Sequence, residues 1–151
     1  MRQRLSRVTI PLCCVCLSAC GGGSNPTAPT VTATPVPAPV AAVLLQGSLT
    51  NMEAATLFTI GSFTTPGVGR LDVNVDWTFG TNNVDVYVAR GTCTIDQVNQ
   101  RTCPLATSSE STTAKPEKLV VASLDAGTYS LMIGNRGPTP EAASYQVILT
   151  R

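Results

Sequence analysis

From about residue 43 to the C-terminus, apolar and polar side chains alternate in short runs separated by turn residues. The cleanest run is Leu71–Phe79. Leu71, Val73, Val75, Trp77 and Phe79 fall on one side, and Asp72, Asn74, Asp76 and Thr78 on the other. A period of two predicts a strand with one face buried and one in water. Asn82-Asn83 then predicts a turn, and Val84, Val86 and Val88 repeat the alternation with Asp85 and Tyr87 opposite them. Further strands are predicted over Val43–Leu49, Thr56–Ser62, Lys118–Ser123, Thr128–Asn135 and Ser144–Thr150. Asp125-Ala126-Gly127 and Asn135-Arg136-Gly137-Pro138 supply turns between the last three. No run has the length and 3.6-residue period of a substantial helix; Ile95–Gln100 suits a single helical turn. Seven or so short strands predict an all-β fold, a single antiparallel β-sandwich of the jelly-roll kind.

Upstream the alternation stops. Residues 20–42 read as a linker, with Gly21-Gly22-Gly23-Ser24 followed by Pro26, Pro29, Pro35, Pro37 and Pro39. Such a segment builds no packed core and favours extended polyproline conformations; twenty residues at ~3.1 Å each span up to roughly 60 Å. Residues 1–19 have the three parts of an export signal: Arg2, Arg4 and Arg7, an apolar run from Val8 to Leu17, then small residues. The apolar run is about half the ~20 residues needed to span a bilayer, so it predicts a cleaved signal rather than a permanent span.

The tetrad Leu17-Ser18-Ala19-Cys20 closes that signal and resembles the lipobox of bacterial lipoproteins. The resemblance implies that Cys20 is acylated and becomes the mature N-terminus, holding the protein to a membrane. Gly21 stands where enteric lipoproteins retained at the inner membrane carry aspartate, which implies the outer membrane. Several acyl chains, at about 0.8 kcal/mol per buried methylene, give lasting attachment. The domain plan is thus 1–19 signal, 20–42 lipidated cysteine and linker, 43–151 sandwich.

Removal of the signal changes the charge. The chain has ten Lys+Arg and nine Asp+Glu; without Arg2, Arg4 and Arg7 the balance is 7 − 9 = −2. A nucleic-acid partner, which needs a clustered basic surface, is not expected. The six cysteines divide likewise: Cys13, Cys14 and Cys16 leave with the signal, Cys20 takes lipid, and Cys93 and Cys103 remain. Outside the cytoplasm such a pair is expected to form a disulfide. A zinc site needs about four N or S ligands, and the chain has no histidine.

The lack of histidine also removes Ser-His and Cys-His catalysis. A Ser-Lys pair through Lys115 or Lys118 would sit in the polar stretch Ser108–Lys118, read as an exposed loop. Asp72 and Asp76 share a strand face about 13 Å apart, too far for a glycosidase pair, and fit a solvated sheet face better. Asp76, Asn82, Asn83 and Asp85 offer oxygen ligands for calcium around one strand connection, but hairpin turns favour the same residue types. Sugar binding needs exposed aromatics. Tyr129 and Tyr145 share parity with core positions, whereas Tyr87 lies on the Asp85 side of its strand, which makes it the ligand-binding candidate. No catalysis and no cofactor beyond the lipid on Cys20 are expected.

The series Gly69–Trp77, Val84–Val88, Cys93…Cys103, Leu124–Tyr129 and Tyr145–Val147 resembles the bacterial pre-peptidase C-terminal (PPC) type of β-sandwich. The resemblance spans roughly residues 45–151 and implies a jelly-roll accessory domain without catalytic groups. The function expected is a membrane-anchored binding module for a glycan or protein, or else a structural subunit of an envelope complex.

Overall fold

The computed structural model describes residues 36–151; the signal, the lipobox with Cys20 and the start of the linker lie outside them. Eight strands and one short helix follow one another: β1 (Ala41–Met52), β2 (Thr56–Thr65), β3 (Gly69–Trp77), β4 (Val84–Arg90), α1 (Ile95–Asn99), β5 (Leu105–Ser109), β6 (Glu117–Leu124), β7 (Gly127–Asn135) and β8 (Glu141–Thr150). They form two antiparallel four-stranded sheets, ordered β1-β8-β3-β6 and β2-β7-β4-β5. The chain crosses between the sheets at every connection but β4–β5, and this order is that of a jelly-roll sandwich.

Inward parity builds the core between the sheets. Leu71, Val73, Val75 and Trp77 of β3 meet Val84, Val86 and Val88 of β4 and Tyr129, Leu131 and Ile133 of β7 in one buried cluster. A bulge at Thr59/Gly61 shifts the register of β2. Phe58, Ile60 and Phe63 therefore all pack on this core, while Leu57 serves a second cluster. Tyr129 is fully buried, and its hydroxyl donates to the Asp125 carbonyl at 3.0 Å, pinning the β6–β7 turn. Tyr145 is half-buried and packs against the core beside Gly47, where any Cβ would collide with the ring.

Three expectations change. β4 has no wet face: every residue from Val84 to Ala89 is buried, including Asp85 and Tyr87. Residues between β4 and β5 fold back over the outside of the second sheet, and Val98, Cys93 and Cys103 join Leu57, Tyr87, Ala89 and Met132 in that second cluster. Phe79 does not share the apolar face of β3. The strand ends at Trp77, the Glu141 carboxylate takes the Thr78 and Phe79 N–H groups, and Phe79 is 55% exposed. The polar stretch Ser108–Lys118 is not all loop: Ser108 and Ser109 end β5, an additional strand paired with β4, and Glu117 and Lys118 open β6.

The covering segment holds together by local means. Thr94 caps α1 in a reciprocal box: its hydroxyl accepts from Gln97 N, and Gln97 Oε1 accepts from Thr94 N. Five residues are far too few for a helix to persist alone. The Cys93–Cys103 disulfide and the burial of Val98 supply what is missing. Closing a loop of this length stabilises by roughly 2–3 kcal/mol in the chain-entropy model. The double variant Cys93→Ser/Cys103→Ser is therefore expected to lose about that much in denaturant unfolding. Hydrogen exchange should rise first at the amides of α1 and β5, and an unchanged pattern there would contradict this account of the covering segment.

Candidate functional site

The folded-back segment leaves a cleft of about 590 Å³ on the outside of the β2-β7-β4-β5 sheet, within the ~300–1,000 Å³ usual for ligand sites. Tyr87, Val98 and Leu105 form part of its lining with Cys103. Asn99, Arg101, Glu110 and Arg136 supply its polar groups. Arg101 directly follows the C-cap of α1, Glu110 follows β5, and Arg136 follows β7.

Beneath the cleft is a small network of buried polar groups. Asp85, its side chain only 7% exposed, accepts from Arg136 Nε at 2.9 Å and from the Tyr87 hydroxyl at 3.0 Å. Asn83 Nδ2 lies 3.4 Å from the other carboxylate oxygen, and Arg136 Nη2 donates to the Tyr87 oxygen at 3.2 Å. A buried carboxylate is costly unless paired, and this one has a cation and a hydroxyl. Burial pushes the ionisation of Tyr87 above its ordinary value; Arg136 opposes that shift and Asp85 adds to it. The Arg136 guanidinium is raised, chiefly by its bond to Tyr87 and against the effect of burial, with Asp85 also favouring the charged form. Near neutral pH the phenol keeps its proton and the guanidinium its charge. The network holds Tyr87, Asp85 and Arg136 in one geometry.

The four calcium candidates do not come together around one point. Asp76 projects from the outside of β3 and accepts from Lys115 Nζ at 2.7 Å and from Trp77 N at 2.9 Å. The Lys115 hydrogen bond leads in lowering its ionisation, against some desolvation. Asp85 lies on the outside of the opposite sheet, on Arg136. Asn82 turns elsewhere, donating to Glu141 Oε2 at 3.0 Å and accepting from the Thr139 hydroxyl at 3.1 Å. Asn83 stays by Asp85. Strand alternation sends Asp76 and Asp85 to opposite outer faces, and each carboxylate faces a cation of the chain.

The carboxylates and lysines considered for catalysis are also engaged or apart. Asp72 is bound by Arg70 on the same strand, at 2.7 Å, and Lys115 by Asp76. Tyr87 is buried rather than exposed, because α1 and the disulfide cover its ring; its edge still lines the cleft. Cys93 and Cys103 are joined, with Cα atoms 5.9 Å apart.

No protein-family model matches the chain, and no curated protein matches it.

Arg101, Glu110, Asn99 and Arg136 were not singled out by sequence reasoning. A signal existed for one of them. Asp85 sits between two core valines, and once its strand is covered it requires a cation, which Arg136 provides from the neighbouring turn.

Close by, at the turn before β4, another buried carboxylate ties the β3–β4 connection to β8. Glu141 accepts from Thr78 N, Phe79 N, Ala142 N and Asn82 Nδ2, at 2.8–3.0 Å. Burial alone would raise its ionisation, but the four donors outweigh it and hold it below the ordinary carboxylate range. A carboxylate lowered on folding stabilises the fold above its unfolded value, ~4.3, and that contribution disappears as pH falls through the folded one. Glu141→Gln should cost about 2 kcal/mol at pH 7 by leaving buried donors unmatched. It should also narrow the gap in denaturant midpoint between pH 7 and acid; an equal gap in variant and wild type would contradict this assignment.

Proposed function

We propose that the chain is a lipid-anchored envelope protein that displays a non-catalytic, PPC-like sandwich as a ligand-binding module. In this reading Cys20 carries the lipid at the outer membrane and residues 20–42 serve as the tether. The observation that carries it is the placement of the chain's entry against the cleft. The chain joins the sandwich at β1, an edge strand of one sheet, where Val40 and Arg151 exchange backbone hydrogen bonds at 2.7 and 2.9 Å. The cleft opens on the outside of the other sheet. The jelly-roll order agrees with the architecture that the PPC resemblance implies. The polar groups at the cleft are of the kind that grip hydroxyls, which favours a glycan ligand.

One feature favours the second reading, an assembly subunit. Edge strand β1 runs Ala41–Met52 without a charge or a proline, and natural edges are usually blunted by such residues. Its two register shifts break the edge up, so the ligand-binding reading stands first.

Mass spectrometry of the mature N-terminus tests the anchor: acyl mass is expected on Cys20 in the wild type and absent in Cys20→Ser. An unmodified wild-type N-terminus would remove the anchor. A glycan array run beside an affinity pull-down tests the module. Glycan binding is the expected result; capture of an envelope protein with no glycan bound would favour the assembly reading, and binding of neither kind would leave the binding module without support.

A further inference from the structure

The cleft carries equal and opposite charge. Arg101 and Arg136 bring two cations; Glu110 and the underlying Asp85 bring two anions. Arg136 and Asp85 neutralise each other directly. Arg101 and Glu110 have no ion-pair partner among the described residues, and they do not bridge to one another. An anionic ligand would meet Glu110, and a cationic ligand would meet the two guanidiniums. A neutral molecule with adjacent hydroxyls suits both, since each hydroxyl both donates and accepts. Val98 and Leu105 offer apolar surface for the C–H groups of such a ligand.

The Arg136 guanidinium is held in place before any ligand arrives, and so is the backbone that carries Arg101. Arg136 is fixed through Nε and Nη2, which leaves Nη1 without a hydrogen-bond partner among the described residues. Arg101 has a left-handed backbone, φ +57°, one residue after the C-cap of α1. Glycine takes this conformation without strain and is the usual residue there. Arg101 N donates to Val98 O at 3.0 Å, and Thr102 N and Cys103 N both donate to Gln97 O, so the turn is locked with the arginine in it. A non-glycine residue kept in a strained conformation at the edge of a cleft is where function commonly outweighs stability.

We propose that this cleft binds a neutral oligosaccharide and that Arg101 is a principal ligand-binding residue. The proposal rests on the binding-module reading and names its site and ligand class.

The test uses the mature protein, purified in detergent, on an array holding neutral oligosaccharides (cellohexaose, maltohexaose, xylohexaose, mannohexaose) beside oligogalacturonates. At least one neutral sugar should bind, and its affinity should change less than about twofold between roughly 50 and 500 mM NaCl, because no net charge is matched. Arg101→Gly separates binding from folding: the melting temperature should rise as backbone strain is relieved, while affinity falls about tenfold or more with the lost hydrogen bonds. Glu110→Gln should weaken the same sugar. Preference for the galacturonates, or neutral-sugar affinity retained in Arg101→Gly, would overturn the proposal. Either of those results would leave a displayed binding module standing, whereas capture of a protein partner with no sugar bound would overturn the proposal and favour the assembly reading, and absence of any ligand would sink both.

Discussion

Residues 91–104 cover the outside of β4 and β7, and most of what distinguishes this sandwich follows from that cover. A bare antiparallel sheet would leave Asp85 and Tyr87 in water, with no requirement for partners. Once the Cys93–Cys103 loop lies over them, Tyr87 becomes part of a second apolar cluster and Asp85 becomes a buried charge. A buried carboxylate must be matched or neutralised. Arg136 meets that need from the turn after β7, and in doing so its guanidinium is fixed at the cleft. The covering segment thus supplies one side of the second core and of the cleft, and Arg136, held by Asp85, supplies another.

The turn before β4 uses the same physics without a disulfide. Glu141 collects three donors from the β3–β4 connection and a fourth from Ala142 of its own strand, and β3 ends at Trp77. Asn82 binds this carboxylate and also Thr139, and the close approach of Gly137 to Asn82 leaves no room for a Cβ. These contacts explain why an asparagine and a glycine stand in the two turns, and they need no ion. Of the two turn asparagines, Asn82 places its oxygen on the Thr139 hydroxyl, while the buried Asn83 Oδ1 has no hydrogen-bond partner among the described residues.

The sandwich was legible wherever one face of a strand is wet. β3 alternates visibly because Asp72, Asn74 and Asp76 really are on its outside. β4 has the same alternation but a different environment, since periodicity records which side a residue faces and not what later covers that side. Tyr87 was therefore read as exposed. β5 escaped notice because Leu105–Ser109 is short and polar and pairs with β4 alone at the sheet edge. The disulfide followed from counting cysteines. The cleft did not, because its parts come from three connections that no local pattern relates: the end of α1, the residue after β5 and the turn after β7.

The buried network also bears on what kind of site this is. Acid–base work needs a group whose proton is easily exchanged near working pH. Here Tyr87 is pushed away from that range by burial, and Arg136 is held charged by its bonds to Tyr87 and Asp85. Their shared bonds with Asp85 hold the three side chains in one geometry. Rigidity is useful for binding, because donors already in place lose little entropy when a ligand arrives. The left-handed turn at Arg101 fixes the backbone that carries the other guanidinium of the cleft, at some cost in stability. Buried ion pair and left-handed turn thus bring to one cleft a guanidinium fixed by side-chain bonds and a second carried on a locked backbone.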